Sequence, residues 1–159
     1  MPDNTIEPFQ LSSLRGRYIV LFFYPMDFTF VCPTELIAFD NAIRKFEELN
    51  TQLVSVSVDS EYSHFAWKQT ERSKGGVGKL RYPMVADFTK QISRDYGVLI
   101  DEAVALRGLF IIDKEGIVRS MTSRSDEMSK RRFACSKRCS SPKNTAKSAR
   151  PTGATAPKD

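Results

Sequence analysis

The chain of 159 residues has one histidine, one tryptophan and only three cysteines. An odd, low cysteine count argues against a framework of structural disulfides. Cys135 and Cys139 stand at a zinc-like spacing, but a structural zinc takes about four ligands and the single histidine, His64, lies far away in sequence, so no metal is expected. No apolar run approaches the length of a membrane span, so no membrane partner is expected. The N-terminal MPDNTIEPF has neither a basic stretch nor an apolar h-region. No secretory signal is expected, and the cytoplasm is the expected compartment. The net charge of +5 suggests nucleic acid until its distribution is read. From Ser129 to Asp159 there are nine Lys or Arg against one acid, Asp159, which is more than the whole excess. The chain before it is slightly acidic, and a solvated basic tail with no nucleic-acid partner is expected.

The elements that are present alternate. Tyr18 to Tyr24, YIVLFFY, is a continuous apolar run of aromatic and branched residues, as in a strand buried on both faces. Leu36, Phe39, Ile43, Phe46 and Leu49 recur at helical spacing and predict a helix over Glu35 to Leu49. LVSVSV predicts a strand over Leu53 to Val58, and Asp59 with Ser60 offers capping chemistry for a short helix over Tyr62 to Lys68. SKGGVGKLRYP reads as a loop whose GGVG lacks a P-loop's Lys-Ser/Thr ending, and so as a flexible turn. A short strand at Met84 and Val85, a helix over Thr89 to Tyr96 closed by Gly97, a strand over Ala105 to Ile112 and a hairpin into Ile117 to Met121 complete the pattern. Strands and helices in this order predict a three-layer α/β domain with a mixed central sheet. It spans residues 1–121 and is followed by a basic, disordered tail over 122–159, which has too few apolar residues to offset ordering entropy.

One stretch carries chemistry. In FYPMDFTFVCPTE, Cys32 sits between the first strand and a helix start marked by Pro33. A thiol attacks as its thiolate, and unpaired N–H groups of a helix N-terminus favour that anion. Thr29 brings a hydroxyl to the same place, and Arg107, in ALRGLF, is the best candidate for a full positive charge. Donors around a thiolate suit an electrophile such as a peroxide, whose leaving oxygen they would stabilise.

The stretch resembles the active-site segment of the peroxiredoxins, in which Pro, Thr and Cys recur at the spacing of Pro25, Thr29 and Cys32. YIVLFFYP, CPTELIAF, SVSVDSEYSHFAWKQT, YPMVADFTKQISRDYGVL and ALRGLFIIDKEG extend the resemblance to the typical two-cysteine subgroup over roughly Asn4 to Met121. It implies a thioredoxin-like fold, no cofactor, and a thiol peroxidase acting on hydrogen peroxide and small organic hydroperoxides. By the same resemblance Cys32 is the peroxidatic cysteine and passes through a sulfenic acid. Thr29 and Arg107 bind peroxide, Pro25 shields the site and Glu35 holds the arginine. The implied partners are a thioredoxin-like or flavoprotein reductase and further copies of the chain, as a dimer or decamer.

Two departures shape the expectations. The family usually has a strand-bearing segment before the equivalent of Asn4. Its two-cysteine subgroup also carries a resolving cysteine in a His-Gly-Glu-Val-Cys-Pro context, whereas Cys135 and Cys139 lie in FACSKRCS. Read one base out of frame, codons for Lys143 to Gly153 permit Glu-His-Gly-Glu-Val-Cys-Pro-Ala-Asn-Trp in order. The tail is therefore expected to be frameshift-derived, assembly to be weakened and turnover to be impaired. A non-enzymatic, chaperone-like holdase or interaction protein is the alternative from another class.

Overall fold

β1 (Tyr18–Phe23) begins at an exposed Tyr18 and is apolar and buried from Ile19 on, where both of its faces are covered. In the computed structural model, which describes residues 1–29 and 32–123, it forms the middle of a five-stranded sheet. The other strands of that sheet are β2 (Thr51–Ser57), β3 (Met84–Ala86), β6 (Gly108–Ile112) and β7 (Val118–Ser123), in the order β3-β2-β1-β6-β7. β1, β2 and β3 run parallel, and β6 is antiparallel to both β1 and β7, which makes the sheet mixed as expected. A separate ribbon pairs β4 (Leu99–Ile100) with β5 (Val104–Ala105). The helices are α1 (Cys32–Asn41), α2 (Ile43–Glu48), α3 (Glu61–Gln69) and α4 (Gln91–Asp95).

Successive side chains of a strand face opposite ways, and β1 divides its own between two cores. Ile19, Leu21 and Phe23 join Val54, Val56, Val98, Phe110 and Ile112 on one face. Val20, Phe22 and the following Tyr24 join Leu36, Ile43, Trp67, Val77 and Leu80 on the other. Fully burying each large side chain contributes about 1.5–3 kcal/mol, so both faces of β1 are anchored.

Four elements depart from the sequence reading for local reasons. The helix that carries the Glu35 to Leu49 periodicity opens at Cys32, the start read from Pro33, whose missing N–H costs nothing in a first turn. It divides at Ala42, whose N–H is shared between the Ala38 and Phe39 carbonyls at 3.2 Å each. The strand expected over Ala105 to Ile112 is two strands. Leu106 N–H donates to the Val98 carbonyl at 2.7 Å, holding that residue to the neighbouring segment, and β6 starts only at Gly108. A Cβ at Gly108 would lie 3.0 Å from Val98, so glycine lets the chain pass there. α4 starts late because Lys90 takes a left-handed φ of 61°, and Asp87 caps it by accepting from Ile92 N–H and Ser93 N–H at 3.0 and 2.6 Å. Gly97, at φ 70°, ends that helix as expected.

The fourth departure is the GGVG segment, read from sequence as a flexible turn. Gly76, Val77, Leu80 and Tyr82 are buried. Trp67 Nε1–H donates to the Gly75 carbonyl at 2.9 Å, and Asp40 of α1 accepts from Arg81 N–H at 2.8 Å. A Cβ on Gly76 would fall 1.9 Å from the Thr70 carbonyl oxygen, so glycine permits a close backbone approach. The segment serves as a wall of the core. β7 carries on past the expected domain end at Met121 to Ser123. The expectations for the tail, including Cys135, Cys139 and the shifted reading frame, lie outside the described residues.

Candidate active site

β1 ends at Phe23, and the chain must turn before α1 begins at Cys32. The turn is held by side chains. Tyr24 O–H donates to Asp27 Oδ1 at 2.7 Å, and Thr29 O–H donates to the Met26 carbonyl at 3.0 Å. Asp27 N–H donates to Asp59 Oδ2 at 2.9 Å, tying the turn to the residues that follow β2. Phe28 adopts a left-handed φ of 55° and lays its ring 5.8 Å from that of Trp67. Pro25, at the first bend, is half-buried and Thr29 is partly exposed.

Arg107 reaches this edge from the opposite direction. β6 runs antiparallel to β1 with Gly108 opposite Phe23, so the residue before Gly108 emerges where β1 ends. Its Nε–H donates to Glu35 Oε2 at 2.9 Å, across 72 residues of sequence. Glu35 lies in the first turn of α1, where a negative charge is favoured by the helix dipole. The side chains of Arg107 and Glu35 are 26% and 49% exposed, so the pair is open to solvent and to a small solute.

The turn with Pro25 and Thr29, the first turn of α1 with Glu35, and Arg107 thus all lie at the end of the sheet where β1 stops, and a hydrogen bond joins Arg107 to Glu35. Sequence reasoning missed what lies behind them. Asp27 Oδ2 accepts from Ser63 Oγ–H at 2.9 Å and from His64 Nδ1 at 2.7 Å. The side chains of His64 and Asp27 are only 5% and 1% exposed. Burial first, and then the charge of Asp27, push the Tyr24 phenol well above its ordinary pKa, so it remains an O–H donor. On the other flank, Tyr82 O–H donates to the Leu36 carbonyl at 2.8 Å, and burial raises that phenol too. The only signal in the sequence was an acid in the turn before a helix and a lone histidine on an otherwise amphipathic one. Neither is specific. Among the described residues, no group of three His, Cys, Asp or Glu is placed to hold a metal, and no helix is long and apolar enough to cross a membrane.

A mixed sheet with helices over both faces, and a first helix that opens at a cysteine after the central strand, define a thioredoxin-like α/β protein. Residues 1–121 match the model of the AhpC/TSA family, and the chain belongs to that family. It is 54% identical over 118 residues to the mitochondrial thioredoxin-dependent peroxide reductase of Drosophila melanogaster, covering 74% of this chain and 50% of that protein. It is 60% identical over 115 residues to the chloroplastic 2-Cys peroxiredoxin BAS1 of Hordeum vulgare, covering 71% and 55%. Among solved structures, the reduced 2-Cys peroxiredoxin of Plasmodium vivax superposes with a TM-score of 0.76 at 43% identity, covering 81% of this chain and 70% of that one. The chain thus spans about half the length of the curated relatives it matches.

The expected cytoplasmic location is corrected by these relatives. Their mitochondrial and chloroplastic names point to an organelle. The expectation rested on the lack of a leader in MPDNTIEPF, and a sequence covering half of its relatives carries no information about a leader.

Proposed function

We propose that the chain carries the peroxide-reducing site of a two-cysteine peroxiredoxin. The observation that supports this most is the Arg107–Glu35 pair, built from opposite ends of the domain at the edge where α1 opens with Cys32. In the reaction, the Cys32 thiolate attacks the terminal oxygen of a hydroperoxide. An S–O bond forms as the O–O bond breaks, the other oxygen, which bears the organic group or a hydrogen, departs as an alkoxide or hydroxide that takes up a proton, and sulfur is left as a sulfenic acid. First-turn N–H groups of α1 favour the thiolate. The Arg107 guanidinium stabilises the charge growing on the leaving oxygen, and Glu35 fixes the plane of that fork. Thr29 gives its hydroxyl proton to Met26, so its oxygen meets the peroxide as an acceptor of the peroxide O–H. Pro25 limits the access of water.

Reduction of the sulfenic acid falls to a thiol reductant, and the name of the Drosophila relative favours one of the thioredoxin type. That Cys135 and Cys139 lie in FACSKRCS rather than in the family's resolving-cysteine context favours slow turnover and weakened assembly. A holdase is not favoured, since family and site both point to thiol chemistry. The test is peroxide consumption by the reduced chain, with and without a thioredoxin system, followed by intact mass. The expected result is a burst of about one equivalent that yields Cys32 sulfenic acid and is abolished in Cys32→Ser, with little thioredoxin-supported turnover. A Cys32→Ser chain that consumes peroxide equally well removes the proposal. Sustained turnover through one defined disulfide to Cys135 or Cys139 would instead make the tail a working resolving arm.

A further inference from the structure

The ring of His64 makes one short polar contact that the proposed reaction does not use. It lies just past the Ser60 cap of α3 and is almost fully buried. A carboxylate only accepts, so the proton between His64 and Asp27 resides on Nδ1. The other nitrogen, Nε2, is buried with no hydrogen-bond partner among the described residues. His64 also lines a pocket under the N-terminal segment, with Met1, Ile6 and Phe65 among its neighbours there. Packing alone would be served better by leucine, because an unpaired buried nitrogen costs on the order of 1–3 kcal/mol. The Nδ1 bond to Asp27 is the contact that justifies an imidazole here.

That bond joins α3 to the turn that carries Thr29. Asp27 is gripped from three sides: by Tyr24 at the end of β1, by Ser63 and His64 on α3, and through its N–H by Asp59. Met26, the next residue back, accepts the Thr29 hydroxyl. Fixing Asp27 therefore fixes Met26, and fixing Met26 fixes Thr29. We propose that Asp27 and His64 are positioning residues for the peroxide site. Through the Nδ1–Oδ2 hydrogen bond, α3 holds the Tyr24–Thr29 turn, and with it Thr29 and the opening of α1, in register with Arg107. The inference rests on the proposed peroxide chemistry and adds the element that aligns it. Misplacement by an ångström is enough to cost orders of magnitude in a reaction that depends on alignment.

The test compares His64→Leu with His64→Asn in the full chain. Leucine keeps the bulk of the imidazole but has no donor, whereas the smaller asparagine has an amide N–H that can stand where Nδ1 stood and keep the bond to Asp27. Three readouts are taken: thermal midpoint, the second-order rate of Cys32 oxidation by hydrogen peroxide, and the pH profile of Cys32 alkylation by iodoacetamide. Leucine is expected to slow oxidation about tenfold or more and to move the alkylation profile to higher pH. Asparagine is expected to stay within about threefold of the parent, with a midpoint lowered at least as much as that of leucine. Equal rates for the two variants, whether both slow or both normal, overturn the proposal. If the parent chain is itself inert to peroxide, the proposed reaction fails, and the alkylation profiles still decide positioning by the same comparison. If His64→Leu does not fold, Ser63→Ala removes the second donor to Asp27 Oδ2 from a half-buried position. A slowing of about threefold is expected there, and an unchanged rate overturns the proposal.

Discussion

Asp27 and Glu35 stand on either side of Cys32 in one short stretch, and the fold treats them in opposite ways. Asp27 is withdrawn from water and meets Tyr24, Ser63 and His64 through its two oxygens. Glu35 keeps half of its side chain in solvent and meets one guanidinium. A buried carboxylate is tolerable only when its oxygens are satisfied, and once satisfied it rigidifies what surrounds it. An exposed ion pair is worth about 0–1 kcal/mol to the fold and can reorganise at little cost. The first arrangement suits a hinge pin and the second suits a hand that must accept a reactant. On the proposed chemistry, the site separates the carboxylate that builds from the carboxylate that works beside the substrate.

The largest expected effect breaks the first half of this comparison. Asp27→Ala strands the Tyr24, Ser63 and His64 donors in a closed space, and a loss of about 3–4 kcal/mol in urea-unfolding free energy is expected. The buried phenol adds a pH signature. The pKa of Tyr24 is raised in the folded state, chiefly by burial and next by Asp27. The stability it contributes is complete below the ordinary tyrosine value of about 10 and is lost as pH rises above it. The parent chain should therefore lose stability as pH rises above about 10, and Tyr24→Phe should lessen that slope, with the raised Tyr82 phenol keeping the rest of it. A variant at Asp27 that unfolds at the parental urea concentration would show that this carboxylate pins nothing.

Next in size is Arg107→Lys. The pair with Glu35 is half-exposed, so stability should change by less than about 1 kcal/mol. Lysine keeps the charge but cannot hold a leaving oxygen and a carboxylate in one plane. Cys32 oxidation should slow about a hundredfold, comparable to the loss of one donor to a developing oxyanion. Stopped-flow oxidation beside a urea melt separates the two effects. A normal rate removes Arg107 from the chemistry, and a large loss of stability places it with Asp27 among the builders.

How much of this was legible in the sequence follows the same division. Pro25, Thr29, Cys32, Glu35 and Arg107 stood out because their types and spacing match a known chemistry. β1 and β2 were visible because their runs are rich in branched and aromatic residues, which a buried strand accommodates best. The break before β6 was hidden, since Ala105 to Ile112 reads as one largely apolar run and only the Leu106 to Val98 hydrogen bond diverts it. The wall formed by Val77, Leu80 and Tyr82 was hidden among glycines and lysines that read as loop. The Asp27–His64 link was hidden because it joins residues 37 apart with no periodicity between them. Long-range polar contacts leave no local pattern, so the alignment of the site emerges only once the chain is folded.

The smallest expected effect sharpens the second half of the comparison. In Glu35→Gln, the amide oxygen can still accept from Arg107 Nε–H, but the negative charge beside the guanidinium is gone. Two consequences oppose each other. The guanidinium loses orientation, which weakens its grip on the leaving oxygen. It also loses a competing anion, which leaves more of its positive field for the thiolate and the peroxide. With the pair half in solvent, both contributions are screened, and each is below about 1 kcal/mol at physiological salt. Orientation matters more where the reaction depends on geometry, so a net slowing of about two- to fivefold is expected, shrinking as salt is raised. Stability should stay within about 0.5 kcal/mol of the parent, as for most exposed positions. The measurement is the rate of Cys32 oxidation in both chains at low and high salt, with a urea melt of each. A slowing beyond about tenfold that persists at high salt would mean that Glu35 is locked to Arg107 as firmly as Asp27 is to His64, and the contrast between the two carboxylates would collapse.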